Sequence, residues 1–217
     1  MDYNNIRTDD IFCLFSQPLY KSKVDVNLKP ILQHDWESEN IFTVDAKSNK
    51  MFYNEDDRIL DRPLLKDLKE QVEANIECYI KRHLCLDDEI SAYQQASWIM
   101  INKPGAVHPT HVHNNAFLSG VVYIKVPEDS GNIIFSAPDM LPTWSSPALR
   151  PGRKSFNVIN SDYFVQVPEP KTIYIFPGHM QHKVEENKSD EDRISISFNY
   201  YLKGKIFEGH GHRLTIA

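Results

Sequence analysis

The chain has 217 residues and a formal net charge of -6 at pH 7. This length suits one domain with a buried core that needs no disulfides, and the acidic balance argues against nucleic acid as the main partner, because a phosphate backbone requires a basic surface. With 41% hydrophobic and 25% charged residues the composition is that of a soluble globular protein, and its apolar runs are only strand-length, so no membrane span is predicted.

The first residues give no export signal. Residues 1–7 lack the basic start and continuous apolar segment of a signal peptide, so we expect a cytoplasmic protein with reduced thiols. The three cysteines, Cys13, Cys78 and Cys85, are odd in number and lack CxxC spacing. We therefore interpret them as thiols and not as a disulfide framework or a zinc site.

The first 90 residues are predicted to supply supporting elements. Residues 11–15 indicate a strand and residues 28–34 a short helix. A longer amphipathic helix is predicted over 63–82, because apolar residues recur there at three- and four-residue intervals and Pro63 suits a first helical turn. Those apolar positions are Leu65, Leu68, Val72, Ile76, Tyr79 and Ile80.

After residue 90 the hydrophobic pattern changes to a period of two or to short apolar runs bounded by Pro, Gly, Asn and Asp. The predicted strands are 94–101, 107–113, 117–126, 132–135, 163–167, 172–176 and 193–202. Several short strands behind one helix predict a mainly β fold with flanking helices, a sandwich or jelly roll. We expect one domain over 1–217, with N-terminal supporting elements in 1–90, a β core in 91–203 and a tail in 204–217.

A long segment interrupts these strands. Residues 136–155 contain four prolines and show no periodicity. A loop of that length inside a compact domain is typically a lid, a binding loop or disordered, and Trp144 is a hypothetical substrate contact within it.

Histidines form the most informative pattern. His111 and His113 are two residues apart, so on a strand both imidazoles would point to one face and could hold one metal ion. A distant third ligand is available at His182. His179 lies in the turn after Pro177 and Gly178, so we expect it to be exposed or to support the site indirectly.

The strand that begins at Arg193 is the second informative pattern. Its residues alternate between an apolar face, from Ile194 to Leu202, and a polar face that starts with Arg193 and Ser195. A guanidinium and a hydroxyl side by side could hold a carboxylate. Beside a metal, such a pair indicates an acidic cosubstrate.

These residues resemble the iron(II) and 2-oxoglutarate dependent oxygenases, over roughly residues 94–203. The matching motif positions are His111-Val-His113, His182, Arg193, Asn102-Lys-Pro-Gly105, Ser119-Gly-Val-Val-Tyr123 and Gly131-Asn-Ile-Ile-Phe135. Within that superfamily the chain looks most like a group from bacteria and their phages that carries an HxH motif.

The resemblance implies a double-stranded β-helix, a jelly-roll or cupin-like barrel. It implies iron(II) on His111, His113 and His182, and 2-oxoglutarate bound through Arg193 and Ser195, with Tyr123 and Asn102 as further cofactor-binding residues. With O2, the implied reaction releases succinate and CO2 and hydroxylates a C–H bond of a small-molecule or protein substrate that the sequence does not identify.

One position departs from the superfamily pattern, because His113 stands where a carboxylate is usual. A neutral ligand leaves a ferrous site one unit more positive. Three readings follow: His113 is a true ligand, which we favour; His108 or an acidic residue such as Asp139 completes the site; or the site is degenerate.

Two other classes of protein remain open. Gly105-x5-His111-x-His113 also resembles the start of the cupin motif, which implies a three-His dioxygenase or isomerase that does not use 2-oxoglutarate. A degenerate barrel would act as a binding module. His210 and His212 form another HxH, but they are predicted to lie at the surface of a Gly-rich tail without a strand, and the N-terminal segment is a candidate surface for a second copy.

Overall fold

The computed structural model describes residues 16–38, 41–43, 51–54, 56–137, 152–209 and 212–216, and the side chains of 16–38, 56–137, 152–206 and 215–216. The short predicted helix is present as α1 (Lys29–Gln33). The longer one is composite: a 3-10 turn at Pro63–Leu65 leads into α2 (Lys66–Cys78), and a π-helical turn follows at Tyr79–His83. All six of its predicted apolar positions are buried. The predicted strand 11–15 lies outside the described residues.

Twelve strands are described. They are β1 (Tyr20–Lys23), β2 (Ile41–Thr43), β3 (Met51–Asn54), β4 (Ser91–Asn102), β5 (His108–His111), β6 (Leu118–Lys125), β7 (Ile133–Ser136), β8 (Tyr163–Gln166), β9 (Thr172–Pro177), β10 (His182–Val184), β11 (Arg193–Gly209) and β12 (His212–Ile216). All seven predicted strands are present, with shifted ends. The sequence reading missed the short strands β1, β2, β3 and β10 and the terminal strand β12.

The strands form two antiparallel sheets. The larger has the order β1-β9-β6-β11-β4-β3-β2, with β12 paired to β11, and the smaller has the order β5-β10-β7-β8. This is the predicted jelly roll, the double-stranded β-helix. The expectation of a tail without a strand is wrong for His212, because β11 continues to Gly209 and pairs with β12. The side chain of His212 lies outside the described residues.

Apolar packing occurs on both sides of the large sheet. On the outer side, β6, β9 and β11 pack against α2 and the N-terminal elements through residues such as Val122, Ile175 and Phe198. On the inner side, a smaller cluster joins the two sheets through residues such as Phe135 and Tyr174. The barrel interior is therefore partly filled and partly left as a cavity.

The predicted long loop is described only at its ends, so Trp144 and Asp139 lie outside the described residues. Cys78 and Cys85 are free thiols, as expected, and Cys13 is not described. Among the helices of the described part of the chain, none is long and apolar enough to span a membrane.

Candidate metal centre and cosubstrate pocket

Three histidines converge at one end of the cavity. His111, His113 and His182 each offer one ring nitrogen, and these nitrogens all lie within 4.8 Å of one another. The ring centroids of His111 and His182 are 4.2 Å apart, and those of His113 and His182 are 5.3 Å apart. Three imidazoles at this spacing form a donor set for a divalent transition metal with positions left for other ligands.

Sheet register places two of these ligands. β5 and β10 are antiparallel neighbours, and His111 pairs directly with His182. Directly opposed residues have their Cβ atoms close together on one face of the sheet. This pairing explains how two histidines separated by seventy residues of sequence meet.

His113 is held in a different way from the one expected. β5 ends at His111, so strand alternation does not orient His113. Instead its backbone N–H donates to the Gly178 carbonyl at 2.8 Å, and its own carbonyl accepts from the Ala116 N–H at 3.1 Å. A Cβ at Gly178 would lie 2.2 Å from the Ala116 oxygen. Only glycine therefore allows the turn before His182 to approach the turn that carries His113.

Backbone hydrogen bonds set the tautomers of two ligands. Nδ1 of His111 lies 2.8 Å from the Pro109 carbonyl, and Nδ1 of His182 lies 2.9 Å from the Met180 carbonyl. A carbonyl only accepts, so each Nδ1 carries the proton and each Nε2 keeps its lone pair. This arrangement is typical of metal-binding histidines.

The histidines of the site are kept neutral by burial. Burial lowers the pKa of His182 to about 3 and that of His113 to about 4, and it also lowers the pKa of His111. A metal needs the unprotonated imidazole. The three rings are therefore ready to bind a cation at neutral pH.

Two other histidines were considered from sequence. His108 lines the same cavity, and its ring centroid lies 4.1 Å from that of His111, but it is not part of the three-nitrogen cluster. His179 is exposed in the turn before His182 and does not line the cavity, as expected.

Arg193 lines the same cavity and is only 2% exposed. Its Nη1 donates to the carbonyl oxygens of Ser130 at 2.8 Å and Gly131 at 3.4 Å, while its Nε has no partner. Within the described part of the chain no carboxylate pairs with this guanidinium. A buried charge without a counter-ion is costly, so the structure provides a cation that a ligand anion would neutralise.

The preceding acidic turn does not pair with Arg193. Asp192 binds Lys103 at 2.8 Å, and Glu191 binds Lys125 at 2.9 Å. The simple explanation of Arg193 as a surface ion pair with this turn is therefore excluded for the described residues.

The remaining predicted site residues differ in position. Ser195 and Tyr123 are cross-strand neighbours that both line the cavity, and burial raises the pKa of Tyr123 to about 12, so its hydroxyl stays protonated. Asn102 is fully buried opposite Arg193 in the register, but it does not line the cavity. Neither of its side-chain amide atoms has a hydrogen-bond partner among the described residues.

Sequence reasoning missed other cavity residues. Trp98 lies on β4, and its ring centroid is 6.0 Å from that of His113. Met100 follows on the same face, opposite Ser195. The period-two pattern of β4 could have placed both residues next to the polar face of β11, because cross-strand neighbours share a face.

The fold and site define a jelly-roll protein with a candidate metal site and a buried guanidinium in one cavity, and comparisons show which family the β core matches. Residues 96–199 match a family model described as "Putative 2OG-Fe(II) oxygenase". No curated protein matches the chain significantly. The β core over residues 96–199 thus matches the 2OG-Fe(II) oxygenase family model, which confirms the resemblance found in the sequence.

Solved structures share the fold over most of the chain. HygX from Streptomyces hygroscopicus, with nickel, 2-oxoglutarate and hygromycin B bound, has a TM-score of 0.58 at 8% identity and covers 88% of this chain and 84% of its own. A Pseudomonas putida prolyl-4-hydroxylase has a TM-score of 0.53 at 12% identity, covering 85% and 93%. The α-ketoglutarate-dependent epimerase SnoN from nogalamycin biosynthesis has a TM-score of 0.58 at 15% identity, covering 85% and 78%.

Proposed function

We propose that the protein is an iron(II)- and 2-oxoglutarate-dependent dioxygenase that hydroxylates a C–H bond of its substrate and releases succinate and CO2. The observation that carries this proposal is the pairing of two features in one cavity. Three neutral histidines line it, and so does the buried guanidinium of Arg193, which has no carboxylate partner among the described residues. Such a cavity suits a dianion that chelates a metal with one end and meets a cation with the other.

The donor set fits iron(II). His111, His113 and His182 would hold the metal, and the carbonyls of Pro109 and Met180 would keep two of the rings in the correct tautomer. When bound, iron(II) and 2-oxoglutarate supply oxidative decarboxylation, which couples the reduction of O2 to oxidation of the substrate.

Other residues bind the cosubstrate and exclude water. Arg193 would bind the distal carboxylate, and its contacts with Ser130 and Gly131 fix the direction of the guanidinium. Ser195 would add a hydroxyl beside it. The ring of Tyr123 would complete a dry wall, and a dry cavity strengthens the charge pairing.

For the substrate, the proposal is limited to a broad class of compound. HygX is solved with hygromycin B bound, and a Trichoplax adhaerens prolyl hydroxylase is solved with a peptide fragment. We propose a small molecule or a peptide for this protein too, bound at the metal end beside Trp98, where the cavity wall is only half-buried.

An anaerobic titration of the iron(II)-loaded protein with 2-oxoglutarate tests the function. We expect a visible metal-to-ligand charge-transfer band in the wild type, and at least a tenfold higher cosubstrate requirement in Arg193→Met, because a charge-assisted hydrogen bond is lost. Arg82→Met is the matched control, since Arg82 is exposed outside the cavity, and it should titrate like the wild type. Iron binding without a band in the wild type would contradict the proposal.

The three-His donor set supports a second candidate function. Three neutral ligands also suit a cupin-type metalloprotein that does not use 2-oxoglutarate. That candidate predicts iron binding with no charge-transfer band, and identical titrations for the wild type and Arg193→Met.

A further inference from the structure

The cavity contains a fourth histidine to which the proposed metal site gives no role. His108 lies on β5, three residues before His111, and the two rings meet edge to face with centroids 4.1 Å apart. His108 lines the same cavity as the three candidate ligands but is outside their cluster of nitrogens. His108 is therefore not explained as a metal ligand, and its position in the cavity needs another explanation.

Strand register locates His108 relative to the metal end. On β10, His182 is opposite His111, whereas Val184 is opposite His108. Two residues of strand correspond to about 6.6 Å, so the backbone of His108 lies further along the barrel than that of His111, although the two rings remain in contact. The displacement is toward the loops that close the cavity at Arg193, because the chain leaves β10 at Val184 and enters β11 at Arg193.

Arg193 begins β11 directly after that loop and lines the same cavity as His108. A ligand that reaches from the three histidines to Arg193 would pass alongside His108.

The hydrogen-bonding capacity of His108 is unused. His111 and His182 each donate Nδ1–H to a backbone carbonyl, but His108 makes no hydrogen bond with any described residue. His108 is only partly buried and neither of its ring nitrogens is enclosed, so a ring N–H is open to a ligand or to water in the cavity. The unpartnered Nε of Arg193 is a second unused donor in the same cavity.

We propose that His108 is a cosubstrate-binding residue, which donates a ring N–H hydrogen bond to 2-oxoglutarate between the metal end and Arg193. This inference rests on the proposed function. The neutral imidazole of His108 adds a directed hydrogen-bond donor without adding a charge next to the metal. In this role His108 binds the cosubstrate and is not a fourth metal ligand.

Four variants test this role. His108→Leu and His108→Phe remove the donor, and the second guards against misfolding of the first. His108→Asn keeps a donor, and His179→Ala is the matched control because His179 is exposed outside the cavity. For each variant, far-UV circular dichroism checks folding, competition with a chelator gives the iron(II) affinity, and an anaerobic titration followed by the charge-transfer band gives the 2-oxoglutarate affinity.

We expect the donor-free variants to bind iron(II) within about threefold of the wild type but to need at least tenfold more 2-oxoglutarate, with a displaced band maximum. His108→Asn should recover part of the affinity, and His179→Ala should match the wild type. Unchanged 2-oxoglutarate affinity in a folded donor-free variant would overturn the inference. A tenfold loss of iron(II) affinity would also overturn it, because His108 would then be a metal ligand. Failure of the wild type itself to give a band would instead overturn the proposed function.

Discussion

Over residues 193–200 both faces of β11 are largely buried, yet their contacts differ. On the outer face Ile196 and Phe198 pack against other apolar side chains in the core under α2. On the inner face Arg193 and Ser195 border a cavity, and Arg193 keeps an unpartnered Nε. The outer face is apolar apart from Tyr200, whose buried hydroxyl also has no partner among the described residues, while the inner face presents an unpaired charge to a cavity. Neither burial nor an unpartnered polar atom alone therefore distinguishes core from site, but an unpaired charge beside a cavity does.

The largest expected effect comes from removing a ligand from the inner side. His182→Ala should lower iron(II) affinity by at least a thousandfold, because His182 is the most buried of the three ligands and pairs directly with His111. Equilibrium dialysis with iron(II) under anaerobic conditions measures this. An affinity within tenfold of the wild type would show that the ligand set is wrong.

The corresponding change on the outer face should act on stability. Phe198→Ala should reduce the free energy of unfolding by about 3–5 kcal/mol, because Phe198 is fully buried in the core under α2 and the substitution leaves a cavity. Urea denaturation measures the loss. The folded fraction should still bind iron(II) like the wild type, and a parallel loss of iron affinity would contradict the separation of the two faces.

Acidity should weaken the inner side specifically. The folded-state pKa of His182 is about 3, below the value of about 6.5 in the unfolded chain. Between these values the unfolded state binds a proton that the folded state refuses, so stability falls as pH decreases. His182 alone should account for about 2 kcal/mol between pH 6.5 and 5.

Urea midpoints of the metal-free protein across this pH range measure the effect. His182→Asn should reduce the dependence without abolishing it, because burial also lowers the pKa of His108, His111 and His113. A wild-type stability that does not change over this interval would contradict the depressed pKa.

The smallest expected effect concerns the acidic turn next to Arg193. Glu191→Gln removes an exposed ion pair with Lys125, so the free energy of unfolding should change by less than about 1 kcal/mol. The 2-oxoglutarate affinity should stay within twofold of the wild type in the charge-transfer titration. A large change in that affinity would mean that the turn, and not the cavity, controls Arg193.

Sequence periodicity was sufficient for most of the β core and for the buried face of α2. It succeeded where a pattern repeats along one element, as in the alternation of β11. It failed for β10, whose His182–Val184 segment is too short to show a period. It also failed for β12, because glycines near its start resembled an unstructured tail.

The site was only partly predictable, for a related reason. HxH spacing selected His111 and His113, but the expectation that one strand orients both was wrong, since the strand stops at His111. The hydrogen bond from His113 to Gly178 joins segments far apart in sequence, and no local pattern encodes it. The sequence suggested His108 only as an alternative metal ligand. Its position on the Arg193 side of the cavity depends on sheet register, which the sequence does not show.

The three histidine ligands are held by different backbone elements, and this difference has a kinetic consequence. His111 and His182 lie opposite each other in a sheet ladder, but His113 depends on a turn held by the carbonyl of Gly178. Turns open with a lower free energy than sheet ladders. We therefore expect a metal ion to meet a preformed pair of ligands first and to acquire His113 last, so that the turn controls how fast the ion enters and leaves.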